Sequence, residues 1–97
     1  MYILRTVTNP TQLLQATDHL STPFALIDSD AMWKNAQDLV RRANGVPIRL
    51  ASKSVRVLPI IKTVLTLDGF QGVMAYSLVE ANWLLANGID DVLAAYP

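Results

Sequence analysis

The sequence predicts an α/β fold in which parallel strands are joined by helical crossovers. Three observations carry that prediction. In the later half, short apolar runs of strand length alternate with helix-like runs at a spacing of roughly 20–25 residues. The strand runs are apolar at successive positions, which suits a sheet or barrel covered by helices. The segments that end them, "ASKS", "AYS" and "AYP", would lie together at the carboxyl end of the sheet. Open α/β and barrel enzymes place their chemistry at that end.

The elements follow in order. "TNPTQLLQATDHL" predicts a helix, with Asn9 as its cap and Pro10 in the first helical position, where a missing N–H costs nothing. Leu13, Leu14 and Leu20 lie roughly on one face. Thr22 precedes Pro23, which biases it to an extended conformation and ends the helix. "PFALID" is a strand. "DAMWKNAQDLVRRANG" is a helix with Asp30 as cap and Trp33, Ala36, Leu39, Val40 and Ala43 at helical spacing; Gly45 supplies the left-handed exit. "VPIRLAS" is a strand. "LPIIKTVLTLDG" is a helix with Pro59 in its first turn, stopped at Asp68–Gly69. "FQGVMAY" is a strand. "SLVEANWLLANG" is a helix opened by a Ser77–Glu80 capping box, with Ala81, Leu84 and Leu85 as its buried stripe and Gly88 as its end. "DDVLAAYP" is the last strand.

Composition narrows the function. The chain has 97 residues, 52% of them hydrophobic and 16% charged, with zero formal net charge. That allows one small core and gives no electrostatic footprint for nucleic acid. The basic residues are scattered, so no anionic membrane surface is indicated. There are no cysteines and one histidine, His19, which removes thiolate chemistry and makes a histidine metal site or triad unlikely within this chain. No apolar run reaches the ~18 residues of a membrane span. "MYILRTVTNP" has no charged region ahead of its apolar start and no small-residue cleavage site, so it does not read as a signal peptide. A cytoplasmic protein is expected.

Against this sparse charge, Lys53 stands where an apolar run stops. One reading is a solvated loop lysine. The other is a nucleophile or Schiff-base lysine, which needs an apolar wall or a neighbouring cation; Leu50, Ala51 and Arg56 offer both. Arg56 falls near a helix start, where a cation meets the positive end of the dipole. It is either joined there by an anion, such as a phosphate or a carboxylate, or held in a loop pointing into water.

The segments "TPFALIDSDAMWKNAQDLVRRA", "PIRLASKSVR" and "FQGVMAYSLVEANWLLANGIDDVLAAYP" resemble, in that order, the amino-terminal portion of fold-type III pyridoxal-phosphate enzymes. The likeness is greatest to the amino-acid aldolase/racemase and D-threonine aldolase/D-serine dehydratase branch, related to alanine racemase. It covers positions 22 to 97. The fold it implies is a partial (β/α)8 barrel: about three parallel βα units plus an amino-terminal helix, over residues 1–21, and an extra strand. Lys53 matches the lysine that holds pyridoxal 5'-phosphate as an internal aldimine, with the cofactor acting as electron sink at the amino acid's Cα. Arg49 matches a basic residue that supports the cofactor. Arg56 and Tyr76 are the further cofactor-binding candidates. Metal-using members carry a histidine two places beyond the lysine; Val55 stands there, and no metal site is expected.

The other tempting residues have plainer readings. Tyr76 and Tyr96 end strands on the presumed active face, as proton donors or stacking partners, or as rings with a hydroxyl at the rim. Asp28 and Asp30 look like paired carboxylates, but position 30 suits a helix cap better. Glu80 is structural, His19 solvated, and Trp33 and Trp83 pack against strands.

A full barrel takes eight units and roughly 250 residues, so the resemblance implies a fragment, inactive by itself. Its strand edges and apolar helix faces would drive self-association, and the "PFALID" strand would lack a partner. The readings that follow are an enzyme lineage acting on an amino acid, a non-catalytic self-associating fragment, and a pyridoxal-phosphate homeostasis protein. The "TPFALID" opening favours the two-domain enzymes over the last.

Overall fold

The computed structural model describes residues 2–4 and 9–96. The chain divides into two compact units, Met1–Gln37 and Asp38–Pro97. Pro97, the end of the Tyr–Pro motif, and Thr8, the start of the predicted first helix, lie outside the described residues.

In the first unit, β1 (Tyr2–Leu4) and β2 (Leu26–Asp28) pair in parallel, joined through α1 (Pro10–Thr17). Tyr2 is opposite Leu26 and Leu4 opposite Asp28. The expectation that the "PFALID" strand lacks a partner is therefore overturned, and residues 1–21 hold a strand as well as a helix. Asn9 caps α1 through its side-chain oxygen, which accepts from Gln12 N–H at 2.9 Å. The helix stops at Thr17, before the Thr22–Pro23 boundary that was expected to end it. Thr17 is buried, and its hydroxyl bonds back to the Leu13 carbonyl at 2.7 Å. Leu14 faces solvent, so the predicted Leu13–Leu14–Leu20 face does not form as a unit.

The long helix α2 (Ser29–Ala43) begins in this unit. Its cap is Asp28 rather than Asp30: Asp28 Oδ1 accepts the Ala31 N–H at 3.0 Å, and Asp30 lies in the first turn. A side-chain oxygen one position ahead of the helix reaches its third N–H, and only residue 28 has that spacing here. At the other end Asp38 bonds Arg41 and Arg42. The Arg41 hydrogen bond, with the charges of both arginines, holds the Asp38 carboxyl below its ordinary value. Asn44 and Gly45 both take positive φ to leave the helix.

The second unit holds a three-stranded parallel sheet in the order β3 (Ile48–Ala51), β4 (Phe70–Ala75), β5 (Val92–Ala94). The crossovers are α3 (Leu58–Val64) and α4 (Leu78–Ala86). Mixed α/β architecture with consecutive parallel strands is thus observed. The core lies between sheet and helices: Ile61, Val73, Ala75, Ala81, Leu84 and Ile89 are buried together, with Leu50, Val92 and Ala94 packed against them. Val73 and Leu84 are wholly excluded from water, each contributing about 1.5–3 kcal/mol of burial. Helix α3 ends four residues short of the predicted Asp68 stop, and Thr63 and Thr66 hydroxyls bond carbonyls through its last turn and the turn that follows. In α4 the Ser77 hydroxyl accepts the Glu80 N–H, which is one half of the predicted capping box. Leu85 and Trp83 are half-exposed, which corrects their predicted burial. Among the described residues, no helix is long and apolar enough to cross a membrane.

Candidate functional site at the carboxyl end of the sheet

The carboxyl ends of β3, β4 and β5 carry the residues that the sequence singled out. A single 3₁₀ turn, Ser52–Ser54, follows β3 and carries Lys53. Ser52 fastens that turn. It is fully buried, and its hydroxyl donates to the Met74 carbonyl of β4 at 3.2 Å. A buried hydroxyl without this acceptor would be costly, so the bond fixes where the turn lies on the neighbouring strand. Lys53, next in sequence, is exposed. Leu50, one of the two residues expected to wall Lys53, turns into the core on the helix-covered face.

Arg56 lies in the loop between the 3₁₀ turn and α3, ahead of the helix proper. Its Cζ stands over the Tyr76 ring, 5.6 Å from the centroid. Tyr76 follows β4 directly, and its ring meets that of Tyr96 beyond β5 at 5.8 Å with a tilt of 59°. The three side chains thus form a row across the carboxyl ends, with both rings about half-exposed. Such a row is a cation–π contact extended by a tilted aromatic pair.

Arg49 is committed elsewhere. It points to the face opposite Leu50 and grips Asp91 through both carboxylate oxygens, at 2.6 and 3.3 Å. This ion pair spans the middle strand at Gly72. Gly72 has φ +71°, and a Cβ there would fall 2.5 Å from the Asp91 carbonyl oxygen and 2.6 Å from Asp91 Cγ. The β3–β4 register also slips at this point: Ile48 pairs with Phe70 but Leu50 with Val73. The extra residue of β4 is a bulge, and it lets both Phe70 and Val73 turn inward.

The structure therefore brings Arg56, Tyr76 and Tyr96 together and puts Lys53 on the same edge of the sheet. It gives Arg49 a partner at Gly72, before the carboxyl end of its strand. Asp28 and Asp30 belong to the other unit. His19 is exposed, 3.7 Å from Asp18. Sequence reasoning missed Ser52, Gly72 and Asp91. For Gly72 a signal existed, since a lone glycine within a strand run marks a bulge or a close approach. Among the described residues, no group of three or more acidic or histidine side chains is placed to hold a metal. No protein-family model, curated protein or solved structure matches the chain.

Proposed function

We propose that the chain is the amino-terminal part of a pyridoxal-phosphate-dependent amino-acid aldolase or racemase, in which Lys53 is the cofactor-binding amine and the parallel sheet belongs to a (β/α)8 barrel. A cytoplasmic setting is part of the same proposal. One observation carries it: the amine stands on the turn directly after a parallel strand, at the edge where α/β proteins gather their chemistry. The side chains present suit the group. A primary amine meets an aldehyde, and a cation over a tyrosine ring meets a planar anionic molecule.

When bound, pyridoxal phosphate supplies an electron sink for charge at an amino acid's Cα. The rest falls to the chain. Lys53 would hold the cofactor through its primary amine, and the same amine would hold or move a proton at the amino acid's Cα. Tyr76 and Tyr96 shield one side of the ligand from water. Ser52 positions Lys53 by fixing its turn to β4. Arg49, tied to Asp91, braces the strands rather than the ligand.

The test is covalent labelling of the intact chain with pyridoxal phosphate, followed by borohydride reduction and peptide mapping. Lys53 is expected to carry the label far ahead of Lys34 and Lys62, which are also exposed. Lys53→Ala should remove it. Equal labelling of the three lysines would refute the assignment. A second reading, a self-associating chain without catalysis, is favoured by the apolar surface of α4, where Leu78, Val79 and Trp83 face solvent.

A further inference from the structure

We propose that Arg56, held against Tyr76, whose ring meets that of Tyr96, is a carboxylate-binding group for a small anionic ligand at the carboxyl end of the sheet. The inference deepens the reading above. It rests on that reading for the ligand being an amino acid, but not for the carboxylate site itself.

The first support is how the arginines are used. Arg41 and Arg42 are bound by Asp38, and Arg49 by Asp91. Among the described arginines, Arg56 alone has a ring in place of a carboxylate. A cation–π contact engages the guanidinium's charge and leaves its N–H donors for other acceptors. Those donors form a flat fork that matches two coplanar oxygens.

The second support is the distribution of charge in the second unit. Asp68, Asp90 and Asp91 precede β4 and β5, at the amino end of the sheet. Lys53 and Arg56 follow β3, at the carboxyl end. Glu80, in the first turn of α4, is the one carboxylate within residues 52–61, 76–81 and 95–96, the stretches directly beyond the carboxyl ends of β3, β4 and β5. The stretches directly beyond the carboxyl ends thus carry two cations, Lys53 and Arg56, against one carboxylate, a balance that favours a small anion there.

The third support separates a carboxylate from a phosphate. Phosphate cradles are built from successive backbone N–H groups, commonly in glycine-rich loops. Residues 50–57 and 75–80 contain no glycine, and the Glu80 N–H at the start of α4 is already taken by the Ser77 hydroxyl. One guanidinium on an aromatic shelf pairs with two oxygens and leaves the further oxygens of a phosphate without backbone donors.

The experiment follows the arginine Nε–H and tyrosine ring signals of the ¹⁵N-labelled chain by NMR, with sodium acetate, inorganic phosphate and acetamide in separate titrations. Acetate should shift the Arg56 Nε–H and the Tyr76 ring along a saturating curve, while Arg49, already held by Asp91, stays still. Acetamide should do nothing. Arg56→Gln should weaken the Tyr76 response about tenfold or more. Tyr76→Phe should keep it and Tyr76→Leu reduce it, because the ring and not the hydroxyl holds the guanidinium. Arg49 and Arg56 moving together without saturation, phosphate saturating below acetate, or an unchanged response in Arg56→Gln would each overturn the proposal. The two readings fail separately. Labelling of Lys53 with no acetate response sinks only this inference, and the reverse sinks only the cofactor assignment.

Discussion

At residue 72 a side chain would end the contact between Arg49 and Asp91. Those two residues stand 42 positions apart in sequence and meet only because β4 presents a glycine between them. Gly72 also carries the positive φ of the bulge that resets the strand register. Gly72→Ala should therefore cost about 1–3 kcal/mol, from left-handed backbone strain together with displacement of the ion pair. Gly45 gives the control: its φ is +86°, but nothing lies within 4 Å of a Cβ there. Gly45→Ala should lose only the strain, about 1 kcal/mol. Urea denaturation of both variants measures the difference, and equal losses would show that the close approach contributes nothing. The glycine could be read from the sequence as a break in a strand. Asp91 could not be read as its neighbour, because a single sequence carries no record of which loop residue crosses to which strand. Lys53 was legible for the opposite reason: its place at the end of an apolar run is a local property, and so is its exposure on the turn.

At the scale of elements, local signals worked where the cap or the period is strong. Asn9, Ser77 and Gly88 punctuate α1 and α4 as their chemistry dictates. Local signals failed where several apolar residues compete for one face. Helix α4 is apolar nearly all round, so its period does not say which side is buried. Packing against β4 selects Ala81 and Leu84 and leaves Leu85 about half-exposed. The selection can be measured. Leu84→Ala should cost about 2–5 kcal/mol, the cost of an interior cavity, and Leu85→Ala less than about 1.5 kcal/mol. Chemical denaturation followed by circular dichroism gives both values. Similar losses for the two would mean that α4 is rotated relative to the face described. The two-residue shift of the α2 cap from Asp30 to Asp28 has the same origin: both carboxylates fit the sequence rule, and only the chain's exit from β2 decides between them.

At the scale of the whole molecule, the alternation of strands and helices made the parallel sheet of the second unit legible. The β1–β2 pairing was hidden, because a three-residue strand is too short to show a period. What the sheet leaves uncovered bears on assembly. Within the second unit β3 and β5 are its edges, and the face opposite the helices carries Leu93 beside the Arg49–Asp91 pair. On the outer side of α4, Val79 is 80% and Trp83 50% exposed. Residues 79 and 83 are one turn apart, so they form a continuous apolar stripe on a chain with zero formal net charge. With zero net charge, no long-range repulsion opposes the meeting of two such stripes, and a second copy of the chain is their expected occupant. Sedimentation velocity at micromolar concentration should show a dimer or larger species. Val79→Glu with Trp83→Glu should shift it to monomer, because each carboxylate would have to be desolvated at the contact. Both positions are on the solvent side of α4, so far-ultraviolet circular dichroism should stay unchanged. A monodisperse wild-type monomer would sink this prediction. Association that survives the double substitution would move the contact from α4 to the strand edges, where proline at Leu93 would then be the change that dissolves it.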